Sequence, residues 1–293
     1  MVVNSTSFKT MDNQSLLKKA LEGDIHSFQA MFAEFQGQLK SYLYRLLADR
    51  NDVDDLTHDT FIRAYDKIAS FNQESSLKTW VFTIATNLAY NMLNKRQRWA
   101  ADAQDLGKEY SIATPDVRQA CRMVHATSPL GAYEIKEHID FCFICIAKTL
   151  PVENQVALIL KDIYDFPVHD ICLILEKTEG VVKHLLIDAR KTMMDVFDKR
   201  CALINKNGAC HQCSELNGIY NPKQDQQQEL IKLDLVKGSK KYQRDKLYDL
   251  RTKLIKSIDL LHSGGSDLTE ILFKCTRKAI GEITTLLLLL NHF

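Results

Sequence analysis

From Phe28 onward the apolar positions recur at steps of three and four. Phe28, Met31, Phe32, Phe35, Leu39, Tyr42, Leu43 and Leu46 fall on one stripe of a helix, with Asp24 placed to cap its start. A shorter helix precedes it over Ser15–Glu22, with Asn13 as its N-cap and Gly23 as the break. The same spacing predicts a third helix from about Asp52, burying Val53, Leu56, Phe61, Ala64 and Ile68. A fourth runs from Leu77 to about Arg98 and buries Leu77, Val81, Ile84 and Leu88, after turn residues at Asn72–Ser76. Residues 11–99 therefore read as one helix bundle.

Residues 100–131 lose this periodicity and hold Pro115 and Pro129, which reads as a linker with helix confined to Val117–Val124. Helical spacing resumes at Ala132–Thr149 and stops before Pro151, because the residue preceding proline disfavours the α region. It continues as Glu153–Tyr164, Val168–Leu175 and Glu179–Lys199, giving a second unit over residues 132–200. Val168–Leu175, the turn Glu176–Thr178 and the helix that follows have helix-turn-helix spacing. Ile171, Leu175, Val182 and Leu186 are its expected internal contacts, and Thr178 is the expected cap of the second helix. A Cys/His loop (201–222) and a helical extension of unassigned role (223–293) complete the chain. The extension reads as a polar helix over Gln224–Leu261, a Ser263–Ser266 joint, and a last helix capped by Asp267 with Glu270. The fold class is thus all-α: two small helical domains joined by a linker, plus a helical C-terminal extension.

Composition narrows the function. With 38 Lys+Arg against 37 Asp+Glu the formal charge is +1, so any nucleic-acid binding must come from local segregation of charge. The start lacks a basic flank and apolar core, and the Leu286–Leu290 run is far short of the roughly 20 apolar residues a membrane span needs. A cytoplasmic location without membrane contact is expected, and the 8 cysteines then read as reduced thiols or metal ligands.

Charge does segregate. Between Asp49 and Asp66 stand six aspartates and only Arg50 and Arg63, whereas Lys78–Arg98 holds Lys78, Lys95, Arg96 and Arg98 and no acid. These are either two solvated faces, or an acidic helix for a protein partner beside a basic one for nucleic acid. The non-core side of the fourth helix favours the second reading. It carries Thr79, Thr83, Thr86, Asn87, Tyr90 and Asn94, groups suited to unstacked bases, with the cations gathered at the far end. Trp80 reads as core or as a stacking platform. In the helix-turn-helix, Lys177, Thr178, Glu179, Lys183, His184 and Lys191 are placed to face a major groove. Cys142 and Cys145 form a Cys-x-x-Cys within an apolar helical run and read as core, or as a redox pair. Cys201, Cys210, His211 and Cys213 are the one candidate metal set, for zinc, although adjacent ligands at 210 and 211 are awkward. No phosphate-binding glycine loop, His-Glu-x-x-His or nucleophile–base set is evident, so no catalytic residues and no other cofactor are expected.

Taken in order, Leu21-Glu22-Gly23-Asp24, Asp54-Asp55-Leu56, Phe61-Ile62-Arg63, Thr79-Trp80-Val81, Ile84-Ala85-Thr86-Asn87-Leu88 and Lys95-Arg96 resemble the sigma-two domain of bacterial sigma factors. Leu150-Pro151, Asp170-Ile171, Glu179-Gly180-Val181-Val182-Lys183 and Ala189-Arg190 follow in the order of the sigma-four domain. The pair, joined by a linker, is similar to the extracytoplasmic-function group, over roughly residues 11–200. The resemblance implies core RNA polymerase and promoter DNA as partners, with an anti-sigma factor as a further candidate. It implies polymerase docking through Asp55, Asp59 and Arg63, and capture of the minus-ten element by the Asn72–Ser76 loop and the fourth helix. The residues so assigned are Thr83, Asn87, Tyr90, Lys95, Arg96 and Arg98, with Asn87 lining a flipped-base pocket. Thr178, Glu179, Lys183 and His184 would read the minus-thirty-five element.

This chain departs from the family at the turn, where Glu176 replaces the usual Gly, and at His58, where relatives carry Gln. Val181, Leu185 and Asp188 stand where basic or hydroxyl residues are common. Two other readings compete: a stand-alone helix-turn-helix regulator, which would bind duplex unaided, and a metal-dependent hydrolase built on the Cys/His set.

Overall fold

The phenylalanine stripe folds as its spacing predicts. Helix α2 spans Ile25–Leu47, and the Asp24 carboxylate caps it by accepting from the Ser27 N–H at 2.9 Å. It ends at Ala48, which adopts the left-handed region at φ 56° and donates its N–H to the Tyr44 carbonyl. The next residue, Asp49, caps α3 (Arg50–Asp66), so that helix begins two residues before the expected Asp52. Helix α1 (Asn13–Leu21) packs on α2, and α4 (Leu77–Leu93) closes the bundle behind its cap Ser76. Rings from α2 and α3 interlock at one end of the bundle, with Phe32 and Phe61 5.2 Å apart and edge-on.

The computed structural model describes residues 13–127, 135–201, 238, 241–263 and 266–285; among these the chain is helical, with no extended strand. No helix among them is long and apolar enough to cross a membrane.

Two expectations are corrected. Helix α4 stops at Leu93 and not near Arg98. The chain turns there, with the Lys95 and Arg96 N–H groups bonding back to Met92 and Leu93, and delivers Trp99 into the core. The segment expected as a largely irregular linker carries two helices, α5 (Ala103–Ala113) and α6 (Pro115–Thr127). The periodicity of α5 is hidden because it packs through small groups. A Cβ at Gly107 would lie 2.8 Å from the Thr276 Cα, so the missing side chain is what lets another helix lie close against it.

The second unit comprises α7 (Ile135–Ala147), α8 (Val152–Leu158) continued by a π-helical turn (Ile159–Ile163), α9 (Val168–Leu175) and α10 (Glu179–Arg200). Of the extension, α11 (Arg244–Lys256) and α12 (Ser266–Ala279) are described. The long helix expected from Gln224 lies partly outside the described residues, and its described part begins only at Arg244. Neither unit stands alone. Buried side chains of α2, α4, α7, α8, α10, α11 and α12 form one continuous apolar core.

Candidate nucleic-acid interface

The third helix displays the acidic face that its sequence promised. Asp55, Asp59 and Arg63 follow at four-residue steps, and all three are exposed together with His58 and Ile62. The flanking acids are occupied, Asp54 by Lys40 at 2.6 Å and Asp52 by Arg96 at 2.7 Å. The open face is therefore the Asp55–Asp59–Arg63 line.

On α4 the expected polar face divides. Asn87 is exposed, and Thr83 and Tyr90 are half-buried on the same side, with Thr83 Oγ1 donating to the Thr79 carbonyl at 3.0 Å. Thr79 and Thr86 are buried instead. Thr86 shares a hydrogen bond with Tyr42 at 2.8 Å, and Thr79 donates to Asp170 of α9 at 2.9 Å. Trp80 is half-buried, 5.2 Å from the Phe71 ring, and so packs on the core rather than offering a free platform.

The cations beyond α4 are similarly divided. Lys95 is exposed. Arg96 pairs with Asp52 and stands 3.7 Å from Glu282. Arg98 turns inward, donating to the Ala147 carbonyl at 3.2 Å and to Gln155 Oε1 at 2.6 Å, and burial pushes its pKa down to about 10. Two of the three cations expected to meet phosphate are thus held by protein.

In the helix-turn-helix, Ile171, Leu175, Val182 and Leu186 are buried as expected. Glu176 takes the left-handed conformation at φ 54°, and the Lys177 N–H reaches back to the Cys172 carbonyl at 3.1 Å. This is the αL helix ending that glycine adopts without strain. Thr178 occupies the N-cap position of α10, yet its side chain makes no capping bond. Glu179, Lys183 and His184 are exposed, with Lys183 bridged to Glu179 at 2.6 Å. Val181 and Ile187 add exposed apolar surface on the same helix.

The residues that sequence reasoning missed join the two units. Lys148, buried at the end of α7, donates to the Leu46 and Leu47 carbonyls at 3.5 and 3.3 Å and lies over the Trp99 ring. Burial pushes its ammonium down to about 8. Gln155 donates to the Arg45 carbonyl at 3.3 Å. The Arg45 guanidinium, itself buried, meets the Tyr164 hydroxyl at 2.6 Å and Asp140 at 3.4 Å. Lys78 of α4 covers the Phe166 ring at 4.7 Å. The one sequence signal for this seam is a lysine closing the apolar run Phe141–Ala147.

Of the candidate zinc ligands, Cys210, His211 and Cys213 lie outside the described residues. Cys201 is half-buried and unbridged. Among the described residues no group of His, Cys, Asp or Glu could hold a metal ion. Cys145 is buried and Cys142 half-buried on α7, where Cys142 Sγ donates to Gln104 Oε1 at 3.9 Å.

Residues 31–99 match the family described as Sigma-70 region 2. The chain is 28% identical over 181 residues to the ECF RNA polymerase sigma-E factor of Haemophilus influenzae, covering 62% of this chain and 93% of that protein. It is 23% identical over 184 residues to the RNA polymerase sigma-H factor of Pseudomonas aeruginosa, covering 62% and 91%. A solved structure of the sigma factor RpoE in complex with the anti-sigma factor NepR from Bartonella quintana aligns with 58% of this chain and 96% of that one. Its identity is 22% and its TM-score 0.41.

Proposed function

We propose that this chain acts as a sigma factor of the extracytoplasmic-function group, joining core RNA polymerase through the α3 face and capturing promoter DNA with α4 and α10. The observation that carries the reading is a coincidence of position. The matched region, residues 31–99, contains both the exposed Asp55–Asp59–Arg63 line and the exposed Asn87 with Thr83 and Tyr90 beside it.

The work is binding. Opening a duplex exchanges stacking between bases for stacking and hydrogen bonds on protein. Extruding one base costs a few kcal/mol, which a pocket and phosphate contacts must offset. Asn87 supplies an amide that can both donate and accept at a base edge, Tyr90 a ring, and Lys95 an exposed cation for the backbone. Glu179, Lys183 and His184 at the start of α10 would read the upstream element. Phosphodiester chemistry belongs to the polymerase.

Asn87→Ala is expected to reduce permanganate-detected open complex at least tenfold while leaving affinity for core polymerase unchanged. Asp59→Ala is expected to do the reverse, weakening core binding first. Equal loss of both properties in each variant would contradict the assignment. Binding of a duplex operator without polymerase would favour a stand-alone regulator.

A further inference from the structure

The two units that would read separate promoter elements are docked on each other. Thr79 of α4 bonds Asp170 of α9 at 2.9 Å, and Phe82 of α4 lies 4.9 Å from Phe166. Burial raises the Tyr90 phenol, with the Glu153 charge of α8 adding to it, and Glu153 itself pairs with Lys177 at 3.1 Å. The minus-ten and minus-thirty-five elements are about 25 base pairs apart, roughly 80 Å of B-form duplex at 34–36 Å per turn. Helices in hydrogen-bonding contact cannot reach both, so the docked arrangement is not the promoter-bound one.

The C-terminal extension holds this arrangement from both sides. Helix α11 grips the second unit: Tyr248 donates to Asp162 at 2.8 Å, Arg244 pairs with Asp195 and Asp198, and Lys256 pairs with Asp165 at 2.6 Å. Helix α12 grips the first. Glu270 accepts from Tyr44 at 2.8 Å, Asp267 pairs with Arg50 at 2.7 Å, and Arg277 joins Asp49 to Glu282. Glu282 also accepts from the Trp99 indole at 2.8 Å. Asp267 and Glu270, expected as a capping pair, are instead spent on the α2–α3 corner. Between the grips, α12 lies against α5 at Gly107. One continuous segment therefore touches the first unit, the connecting helices and the second unit.

We propose that α11 and α12 form a built-in strap that keeps the two promoter-reading units docked and silent, and that polymerase and promoter must displace it. The proposal rests on the sigma-factor reading above. Displacement is graded: the ion pairs at Arg244, Lys256 and Arg50 lie at the surface, whereas Arg277 and Glu270 are buried.

The test compares the full-length chain with Gly107→Val and Arg277→Glu. The valine drives α12 off α5 while leaving α5 a regular helix, and the glutamate places like charges beside Asp49 and Glu282. Three readouts are taken: helicity by circular dichroism, radius of gyration by X-ray scattering, and transcripts from a genomic fragment library with the host's core polymerase at sub-saturating factor. Both variants are expected to keep their helicity, to expand, and to give about fivefold or more transcript over wild type. A variant that stays as compact as wild type would overturn the strap. Expansion without added transcript, where wild type is active, would overturn the silencing. Loss of helicity in both would also count against it, since a displaceable strap leaves the rest folded. Transcripts absent from all three chains despite expansion would overturn the sigma-factor reading, while the strap itself would stand.

Discussion

Phe273 is the residue on which the hold of α12 is concentrated, and Phe273→Ala is a quantitative test of it. The side chain is fully buried, with its ring 4.6 Å from Phe141, 6.0 Å from Tyr44 and 6.3 Å from Trp99. Those partners belong to α7, α2 and the segment after α4, so one side chain touches both units. Truncating a buried phenylalanine costs about 3–5 kcal/mol through lost transfer energy and the cavity left behind. Roughly 0.5–1.5 kcal/mol of that is expected from each well-placed ring pair. At 1.36 kcal/mol per tenfold, the change corresponds to about two to four powers of ten in an opening equilibrium. Native-state hydrogen exchange followed by mass spectrometry locates the loss. If α12 detaches as a unit, its amides should exchange faster by that factor while those of α2 change far less. Equal acceleration of α2 and α12 would show a single cooperative body and refute a detachable strap. A change below about 1 kcal/mol would refute the packing argument itself.

Glu176→Gly should raise stability by about 0.5–1 kcal/mol, because glycine removes the left-handed strain at φ 54° at the small cost of a freer unfolded chain; an unchanged or lower melting temperature would refute this. His138, fully buried, is held neutral by burial down to about pH 4. Its folded pKa lies below the unfolded value near 6.5, so the unfolded chain takes the proton first, and stability falls by roughly 3 kcal/mol as pH drops through that window. Asp140, raised by burial to about 6, acts with the opposite sign: its contribution is present below about pH 3.8 and is lost as pH rises through about 6. His138→Gln should therefore gain stability relative to wild type on acidification from about pH 7 to about pH 4.5, read from urea midpoints, and parallel curves would refute it.

The helices were legible because apolar residues at three- and four-residue steps fall on one face of a helix. Asp24 and the Phe28–Leu46 positions could be read directly. The turn at Glu176 was legible too, since only its position in the helix-turn-helix demands φ > 0. What could not be read is what periodicity does not encode. Helix α5 contributes Gly107 and Ser111 to its buried side, and these carry no apolar signal. Thr79 and Thr86 have the chemistry of a binding face, yet each is buried against a partner from an element distant in sequence, Asp170 and Tyr42. Arg98 and Lys148 look like surface cations in sequence. Lys148 is buried and Arg98 half-buried because each reaches backbone carbonyls at the end of another helix, a match visible only in three dimensions. Asn87 and the Asp55–Asp59–Arg63 line lie where the spacing puts them because nothing among the described residues covers them.

The chemistry of the two contacts differs, and this determines which of them governs separation. The seam between α2 and α7–α8 carries a set of polar contacts: Lys148 and Gln155 donate to the carbonyls at the end of α2, Arg98 bonds Gln155, and Arg45 meets Tyr164 and Asp140. When such groups part, water replaces each partner, so the net loss per hydrogen bond is about 0.5–1.5 kcal/mol. Buried ions recover hydration that docking had removed, which returns part of even that. The contact of α12 adds to its polar bonds an apolar centre, with Leu268, Leu272, Phe273 and Cys275 buried together, and water offers those side chains nothing in exchange. Separation of the units with α12 in place would therefore expose its apolar face in addition to the apolar contact of Phe82 with Phe166. Substitutions at Gly107 and Phe273 act on this dominant contact, which is why they report on docking more sharply than any change at Lys148 or Gln155.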